Sequence, residues 1–283
     1  PKPSSAASDV YKRQRLQGQD QVTFTGSAST AGRLRANPNL IRHSVPFNAE
    51  ADSLNCAILA PDVSQDDEEF ELFIKEVARE MTVKAGQKCT AIRRAIIPAK
   101  QLDAVATRLR ERLSKVVVGD PAVEGVRMGA LASHEQQRDV AERLQSLLHS
   151  SDLLFGARDG FEPRGTNVSQ GAFFAPTLLL ARDPMAEGGA HDIEAFGPVS
   201  TLMAYDDLDQ ALELASRGKG SLVASLVTKS PAIAAQVIPR AAAWHGRLLV
   251  LDRHCAGEST GHGSPLPQLK HGGPGRALSL IHI

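Results

Sequence analysis

The stretch AGQKCTAIRRAIIP occupies residues 85–98 and holds one cysteine, Cys89, among lysines and arginines. Before it lies a helical pattern whose apolar positions share one face, namely Phe70, Phe73, Ile74, Val77 and Met81. Gly86 is expected to end that helix, and the run IRRAIIP behind the cysteine is typical of a strand. The sequence therefore places Cys89 in a turn between a helix and a strand.

Strand and helix patterns alternate on both sides of this stretch. Upstream, strands are expected over 21–27 and 56–60, with a helix between them over 28–36. Downstream, helices are expected over 102–116, 134–149, 207–217 and 233–243, and strands near 153 and over 173–180, 199–204, 221–228 and 246–251. Repeated strand and helix units predict an α/β fold with a mostly parallel sheet covered by helices. The segment 156–171, rich in Gly and Pro, is predicted to be a surface loop.

The composition is that of an ordinary globular chain. Its 283 residues allow one or two domains, and 32 basic residues balance 32 acidic ones, which gives no reason to expect a nucleic-acid partner. No apolar run approaches the roughly 20 residues of a membrane span. Three widely spaced cysteines suit reduced thiols better than disulfides, so we expect a cytoplasmic protein without membrane contact.

Several standard signatures are absent from the sequence. There is no GxGxxG after a strand and no GxxxxGK[ST], so no dinucleotide fingerprint or P-loop is expected. Four possible ligands lie near the C-terminal end, namely His254, Cys255, His262 and His271. Their intervals fit no usual structural zinc pattern, so we predict no metal site and interpret them as loop residues.

Local sequence leaves two roles open for Cys89. A cysteine is more often a small buried apolar residue than a nucleophile. The nearby cations Lys84, Lys88, Arg93 and Arg94 would favour the thiolate and lower a thiol pKa that starts near about 8.5, unless they only form a solvated face. The cysteine alone therefore does not decide between these roles.

Glu50 is a second candidate for a functional residue. It lies in the strand-like run SVPFNAEADS, and a charged side chain among apolar strand residues is unusual unless it has a function or a partner. It is one of a series of motifs in a fixed order: FTGS at 24–27, Glu50, GQKC at 86–89 and EAFGP at 194–198. C-x-A-x-x-R from Cys89 to Arg94 and FxPTL at 174–178 add to the series. With these motifs the chain resembles the aldehyde dehydrogenase superfamily over about 21–276.

The resemblance implies catalytic roles for two residues. Cys89 matches the thiolate that adds to the aldehyde carbon, and Glu50 matches the base that activates water for deacylation. It also implies a catalytic domain over 56–276 and a remnant of the nucleotide-binding domain over 15–55.

The resemblance implies a cofactor site as well. Glu194 matches the residue that fastens the nicotinamide ribose, and Phe196 matches the residue beside the ring. Gly26 and Ser27 match the turn next to the cofactor, for which we expect NADP, with NAD possible.

Departures from the common family pattern narrow the range of expected substrates. EADSLN at 50–55 replaces the usual Leu-Gly-Gly after the glutamate, and STGHGSPLPQL at 259–269 precedes HGGPGR at 271–276. These segments resemble family members that oxidise CoA-linked semialdehydes with NADP during the breakdown of aromatic compounds. GHGSPLP and EAFGPVSTLM favour the phenylacetate branch over the benzoate branch, and homo-oligomers are usual in the family. Two alternatives are a cysteine-dependent thioester hydrolase or acyltransferase, and a non-catalytic fragment.

The two ends resemble translated sequencing adaptors. We expect 1–14 and 277–283 to be non-native and the rest to be an internal part of a longer protein. On this interpretation the oxyanion asparagine and most of the nucleotide-binding domain lie upstream of Arg15.

Overall fold

The computed structural model describes residues 15–156, 161–264, 268 and 271–277. The segments expected to be non-native lie outside these residues except for Ala277. None of the helices in the described part is long and apolar enough to cross a membrane.

Strands and helices alternate along the described chain, as the sequence predicts. The strands are β1 (Val22–Thr25), β2 (Phe47–Glu50), β3 (Cys56–Leu59), β4 (Arg94–Pro98), β5 (Ser151–Phe155), β6 (Thr177–Ala181), β7 (Val199–Tyr205), β8 (Ser221–Val227) and β9 (His245–Leu251). The α-helices are α1 (Ala28–Arg35), α2 (Pro38–Arg42), α3 (Glu68–Thr82), α4 (Leu102–Leu113), α5 (His134–Leu148), α6 (Leu208–Ser216) and α7 (Pro231–Ala241).

The described strands form two sheets. Strands β1 and β2 form a parallel pair, and the other strands form a seven-stranded sheet in the order β5-β6-β7-β4-β3-β8-β9. Only β5 and β6 pair antiparallel in this larger sheet. The predicted α/β class with a mostly parallel sheet is confirmed. The change from one sheet to the other falls between Glu50 and Cys56, next to the predicted domain boundary, and the division into domains stays a prediction.

Helices cover both faces of the seven-stranded sheet. One apolar cluster lies under α3 and α4, and the other lies under α5, α6 and α7. Each apolar position predicted for α3 is at most 2% exposed, namely Phe70, Phe73, Ile74, Val77 and Met81. The 3.6-residue period therefore identified the buried face of this helix. Because helices cover both faces, every residue of β3, β4 and β8 is buried.

The end of α3 differs from the prediction. The helix ends at Thr82 rather than at Gly86, and Val83–Gly86 form a 3₁₀ turn. Within this turn Lys84, Ala85 and Gly86 have φ values of 54°, 52° and 67°. Left-handed backbone in two non-glycine residues costs of order 1 kcal/mol each, which the surrounding contacts must offset. The chain that leads into Cys89 is therefore a strained turn.

Candidate active site

All six residues assigned from the sequence line one cleft of about 890 Å³. They are Gly26, Ser27, Glu50, Cys89, Glu194 and Phe196. The parallel register of β1 and β2 sets Thr25 beside Glu50, and the Gly26 N–H donates to the main-chain oxygen of Glu50 at 3.1 Å. Since carboxyl ends of parallel strands meet at one edge, the FTGS turn and the glutamate open into the same space.

A close backbone contact joins the cysteine turn to the EAFGP loop. A Cβ at Gly86 would lie 2.3 Å from the carbonyl oxygen of Gly197, so only glycine fits there. The two motifs are more than a hundred residues apart in sequence, and this contact brings Cys89 and Glu194 to the same cleft.

Asn55 fixes the backbone of the cysteine turn. Its side-chain amide donates to the carbonyl oxygens of Cys89 at 2.8 Å and Ala91 at 3.1 Å, and its oxygen accepts from Val223 N–H at 3.1 Å. The side chain is fully buried, and a buried amide with its partners in place holds one geometry. The sequence predicts no role for Asn55, because nothing in its spacing points to a carbonyl 34 residues away.

Arg93 ties both halves of the site together. Its guanidinium donates to the carbonyls of Gly197 at 2.6 Å and Gly86 at 2.9 Å, and to the Glu194 carboxylate at 3.3 Å. It also lies 5.4 Å from the centre of the Phe196 ring, within the range of a cation–π contact. One buried cation thus orients two residues assigned to the cofactor site.

Glu194 is held by the protein on both carboxylate oxygens. One oxygen accepts from Arg93, and the other accepts from the Ser53 N–H at 3.1 Å. Burial raises the pKa of Glu194 to about 7, although Arg93 acts to lower it. Each carboxylate oxygen keeps one further lone pair for another donor.

The structure brings a third residue to Cys89 and Glu50. Nε2 of His271 lies 3.4 Å from Sγ of Cys89 and 2.9 Å from a carboxylate oxygen of Glu50. His271 opens the HGGPGR segment, which packs closely against the larger sheet: a Cβ at Gly273 would lie 2.2 Å from the main-chain oxygen of Ser221. From the sequence alone His271 is interpreted as a loop residue, since no interval along the chain reveals this contact.

The environment raises the pKa of the Cys89 thiol to about 11. Burial is the main cause, and the negative charge of Glu50 adds to it. A thiol with this pKa is ionised to about one part in 10⁴ at pH 7, so Cys89 would need a nearby proton acceptor to act as a nucleophile.

The expected lowering of the thiol pKa by nearby cations is therefore wrong. Lys88 pairs with Glu80 at 2.6 Å, and Arg93 is bound as described above. Arg94 is fully buried and donates to carbonyls in the last turn of α6, where the helix dipole favours a cation. Lys84 lines the cleft. Three of these cations thus have partners of their own, and sequence proximity overstated their effect on the thiol.

Polar residues that replace the usual glycines after Glu50 make internal contacts. A carboxylate oxygen of Asp52 accepts from the Ala28 N–H at 2.9 Å, at the N-terminus of α1. The Ser53 hydroxyl donates to Asn55 at 2.8 Å and accepts from the Leu222 N–H at 3.0 Å. These contacts link β1–β2, the cysteine turn and β8, so the EADSLN segment joins the two sheets.

Comparison with known proteins identifies the family. The family model described as "Aldehyde dehydrogenase family" matches residues 15–246. A double mutant of betaine aldehyde dehydrogenase from Staphylococcus aureus, in complex with NAD+, has a similar fold, with a TM-score of 0.77 and 21% identity over 92% of this chain and 48% of that one. The chain belongs to the aldehyde dehydrogenase family.

Two curated relatives are more similar in sequence. The 3,4-dehydroadipyl-CoA semialdehyde dehydrogenase of Aromatoleum evansii is 45% identical over 90% of this chain and 50% of its own length. Protein MaoC of Klebsiella aerogenes is 48% identical over 53% of this chain and 43% of its own length. The chain thus spans about half the length of these relatives or less.

Proposed function

We propose that this chain carries the catalytic cysteine and glutamate of a nicotinamide-dependent enzyme that oxidises a CoA-linked semialdehyde to the acid. The observation that carries the proposal is the position of Cys89 and Glu50 in one cleft with the four residues assigned to the cofactor. Family membership and the relative that acts on a CoA semialdehyde support it.

Cys89 is the nucleophile in this mechanism. Its sulfur forms a bond to the aldehyde carbon, the thiol proton passes to a neighbouring acceptor, and the C=O π electron pair moves to the oxygen, which gives the oxyanion of a thiohemiacetal. Glu50 lies close enough to receive that proton, directly or through one water. Asn55 holds the Cys89 carbonyl and thereby fixes the direction of the cysteine backbone.

Glu50 acts in the second half of the reaction. Its carboxylate takes a proton from water, the water oxygen bonds to the thioester carbon, and the sulfur of Cys89 leaves with the electron pair. General base catalysis of this kind contributes about 10²- to 10⁴-fold. The contact with His271 holds the carboxylate on the side of the cleft that faces Cys89.

The residues of the cleft fit a nicotinamide cofactor, which supplies the hydride acceptor when bound. Gly26, Ser27, Glu194 and Phe196 would hold it. The lone pairs that Glu194 keeps are acceptors for ribose hydroxyls, and Arg93 keeps Phe196 in place as an apolar wall. We propose NADP as the cofactor, with NAD as the alternative.

Two substrates are candidates. The motifs GHGSPLP and EAFGPVSTLM favour 3-oxo-5,6-dehydrosuberyl-CoA semialdehyde, the substrate that the dehydrogenase half of the bifunctional phenylacetate-degradation protein oxidises. The similarity to the Aromatoleum evansii enzyme favours 3,4-dehydroadipyl-CoA semialdehyde instead.

Steady-state assays of the protein expressed from its whole gene test this proposal. Both semialdehydes are supplied with NADP+ or NAD+, and the ratios of kcat/KM identify the substrate and the cofactor. Cys89→Ala should abolish NADPH formation, and Glu50→Gln should lower kcat by about 10²-fold or more. Cys255→Ser, which changes an exposed thiol outside the cleft, should leave the rate unchanged. NADPH formation at the wild-type rate in both Cys89→Ala and Glu50→Gln would contradict the proposal.

The contact between His271 and Cys89 favours one second candidate, a thioester hydrolase. Release of free CoA from an acyl-CoA without nicotinamide, lost in Cys89→Ala, would support it. Strict dependence of all product formation on nicotinamide would remove it.

A further inference from the structure

We propose that Glu50, Cys89 and His271 together form a binding site for a Zn²⁺-like cation, with a fourth coordination position open to the cleft. The site would control access to the two proposed catalytic groups. Its binding function is independent of the dehydrogenase activity, whereas the inhibition described below rests on the proposed function.

The donor atoms are of the types that zinc prefers. One thiolate, one imidazole nitrogen and one carboxylate oxygen are offered, and all three lie within 4.8 Å of one another. Mg²⁺ and Ca²⁺ favour sets made of oxygen atoms, so a sulfur and a nitrogen among three ligands select against them.

The spacing of the donors is close to that of a tetrahedral centre. Zinc bonds of about 2.3 Å to sulfur and about 2.0 Å to nitrogen put those two ligands about 3.5 Å apart. The sulfur of Cys89 and Nε2 of His271 are 3.4 Å apart, and Nε2 is 2.9 Å from the Glu50 oxygen. The third pair, Sγ of Cys89 and the Glu50 oxygen, lies within 4.8 Å and would be about 3.5 Å apart around zinc, so a cation fits once this pair closes by at most about 1.3 Å.

Each ligand is held by a separate part of the fold. Asn55 fixes the backbone of Cys89, and pairing between β1 and β2 fixes Glu50. The segment that begins with His271 packs on the main chain at the start of β8. Since the ligands are positioned before the ion arrives, little conformational entropy is lost on binding.

An ion can reach the site from solvent. The side chains of His271 and Glu50 are 35% and 18% exposed, and Cys89 is only partly buried. A bound cation would take the place of the thiol proton, because only the thiolate is a zinc ligand, and it would balance the charge of Glu50. It would also occupy the nucleophile and the base together, so the dehydrogenase reaction should stop until a chelator removes the ion.

Cobalt titration of the 283-residue chain tests the binding directly. Co²⁺ replaces zinc in such sites and reports its ligands through absorption. We expect one equivalent to bind, with a thiolate-to-cobalt charge-transfer band and the strong visible bands of a tetrahedral centre. Zinc should displace the cobalt and protect Cys89 from alkylation by iodoacetamide.

Variants assign the ligands. Cys89→Ser should remove the charge-transfer band, and His271→Ala and Glu50→Gln should each weaken zinc binding by more than about tenfold, measured by competition with a chromophoric chelator. Cys255→Ser is the matched control, because it removes an exposed thiol beside His254, and it should change neither quantity. Circular dichroism of each variant verifies that it is folded.

A charge-transfer band that persists in Cys89→Ser and disappears in Cys255→Ser would overturn the proposal, as would octahedral spectra or the absence of saturable binding. If the metal site exists but the proposed dehydrogenase function is wrong, the experiments give a different set of results. In that case zinc binding follows the variants as expected, and no NADPH forms with or without the ion.

Discussion

The side-chain amide of Asn55 donates a hydrogen bond to the main-chain carbonyl of Cys89 at 2.8 Å. Asn55 directly precedes β3, so this bond attaches the cysteine turn to the start of that strand. The same amide reaches Ala91, so both ends of the short turn after the thiol are attached to the sheet. The position of the proposed nucleophile thus depends on a buried polar residue that lies outside the proposed reaction.

Asn55→Asp should destabilise the chain strongly. The change keeps the size of the side chain, but it replaces a donor with a charge that faces the carbonyls of Cys89 and Ala91. Leaving such groups unpaired costs about 1–3 kcal/mol each, so we expect the free energy of unfolding to fall by about 3 kcal/mol or more in urea titrations. Asn167→Asp is the control, since Asn167 is exposed and its side chain acts as an acceptor toward Ser169, and it should change stability by less than about 0.5 kcal/mol. Equal effects of the two changes would contradict the role given to Asn55.

Gly86→Ala should disrupt the site. A Cβ there would collide with the Gly197 carbonyl in a backbone with φ of 67°, so the turn before Cys89 must shift. We expect a loss of several kcal/mol in unfolding free energy and a changed rate of Cys89 alkylation. Gly32→Ala in α1 is the matched control, because nothing lies within 4 Å of its Cβ and alanine favours helices by about 1 kcal/mol. If Gly86→Ala is as stable as Gly32→Ala, the close packing of the two motifs is not required.

Glu194 should make the chain less stable as the pH rises. Burial raises its pKa from an ordinary value of 4.5 to about 7, so the folded chain binds this proton more tightly than the unfolded chain does. Its contribution is fully present below about pH 4.5 and is lost as the pH rises to about 7. The shift corresponds to about 3 kcal/mol.

Unfolding curves at pH 5 and pH 7.5 measure this contribution by comparison with Glu194→Gln, which cannot titrate. The wild type should lose about 2 kcal/mol relative to the variant over that interval, because part of the effect is already lost at pH 5 and part remains to be lost above pH 7.5, while groups common to both proteins cancel. Glu213→Gln changes an exposed carboxylate and should follow the wild type. Parallel pH dependence of wild type and Glu194→Gln would show that the carboxyl is not perturbed in the folded chain.

Much of the fold followed from the sequence because local patterns and global packing agree. The apolar face of α3 is the face that meets the sheet, and the strand runs appear within a few residues of their predicted bounds. The end of α3 was missed because contacts with Gly197, far along the chain, hold residues 84–86 in a conformation that local propensity disfavours.

Motifs in the sequence predicted most residues of the candidate site, but not the direction in which the pKa of the Cys89 thiol shifts. Ordered motifs identified Cys89 and Glu50, and the fold places them in one cleft. His271 and Asn55 carry no motif of their own, and only the three-dimensional packing brings them to the cysteine. The direction of the thiol pKa shift depends on the burial of Cys89 and on which groups the nearby cations pair with. Neither can be obtained from spacing along the chain.

Covalent trapping on Cys89 tests the proposed mechanism most directly. The Glu50→Gln variant of the protein expressed from its whole gene is mixed with the CoA-linked semialdehyde and NADP+, and its peptides are mapped by mass spectrometry. We predict about one equivalent of NADPH in a burst, little further turnover, and an acyl group on the peptide that contains Cys89, because the variant forms the thioester and lacks the base that hydrolyses it. Sustained NADPH formation with Cys89 unmodified, or an acyl group on Cys56 or Cys255 instead, would contradict the mechanism.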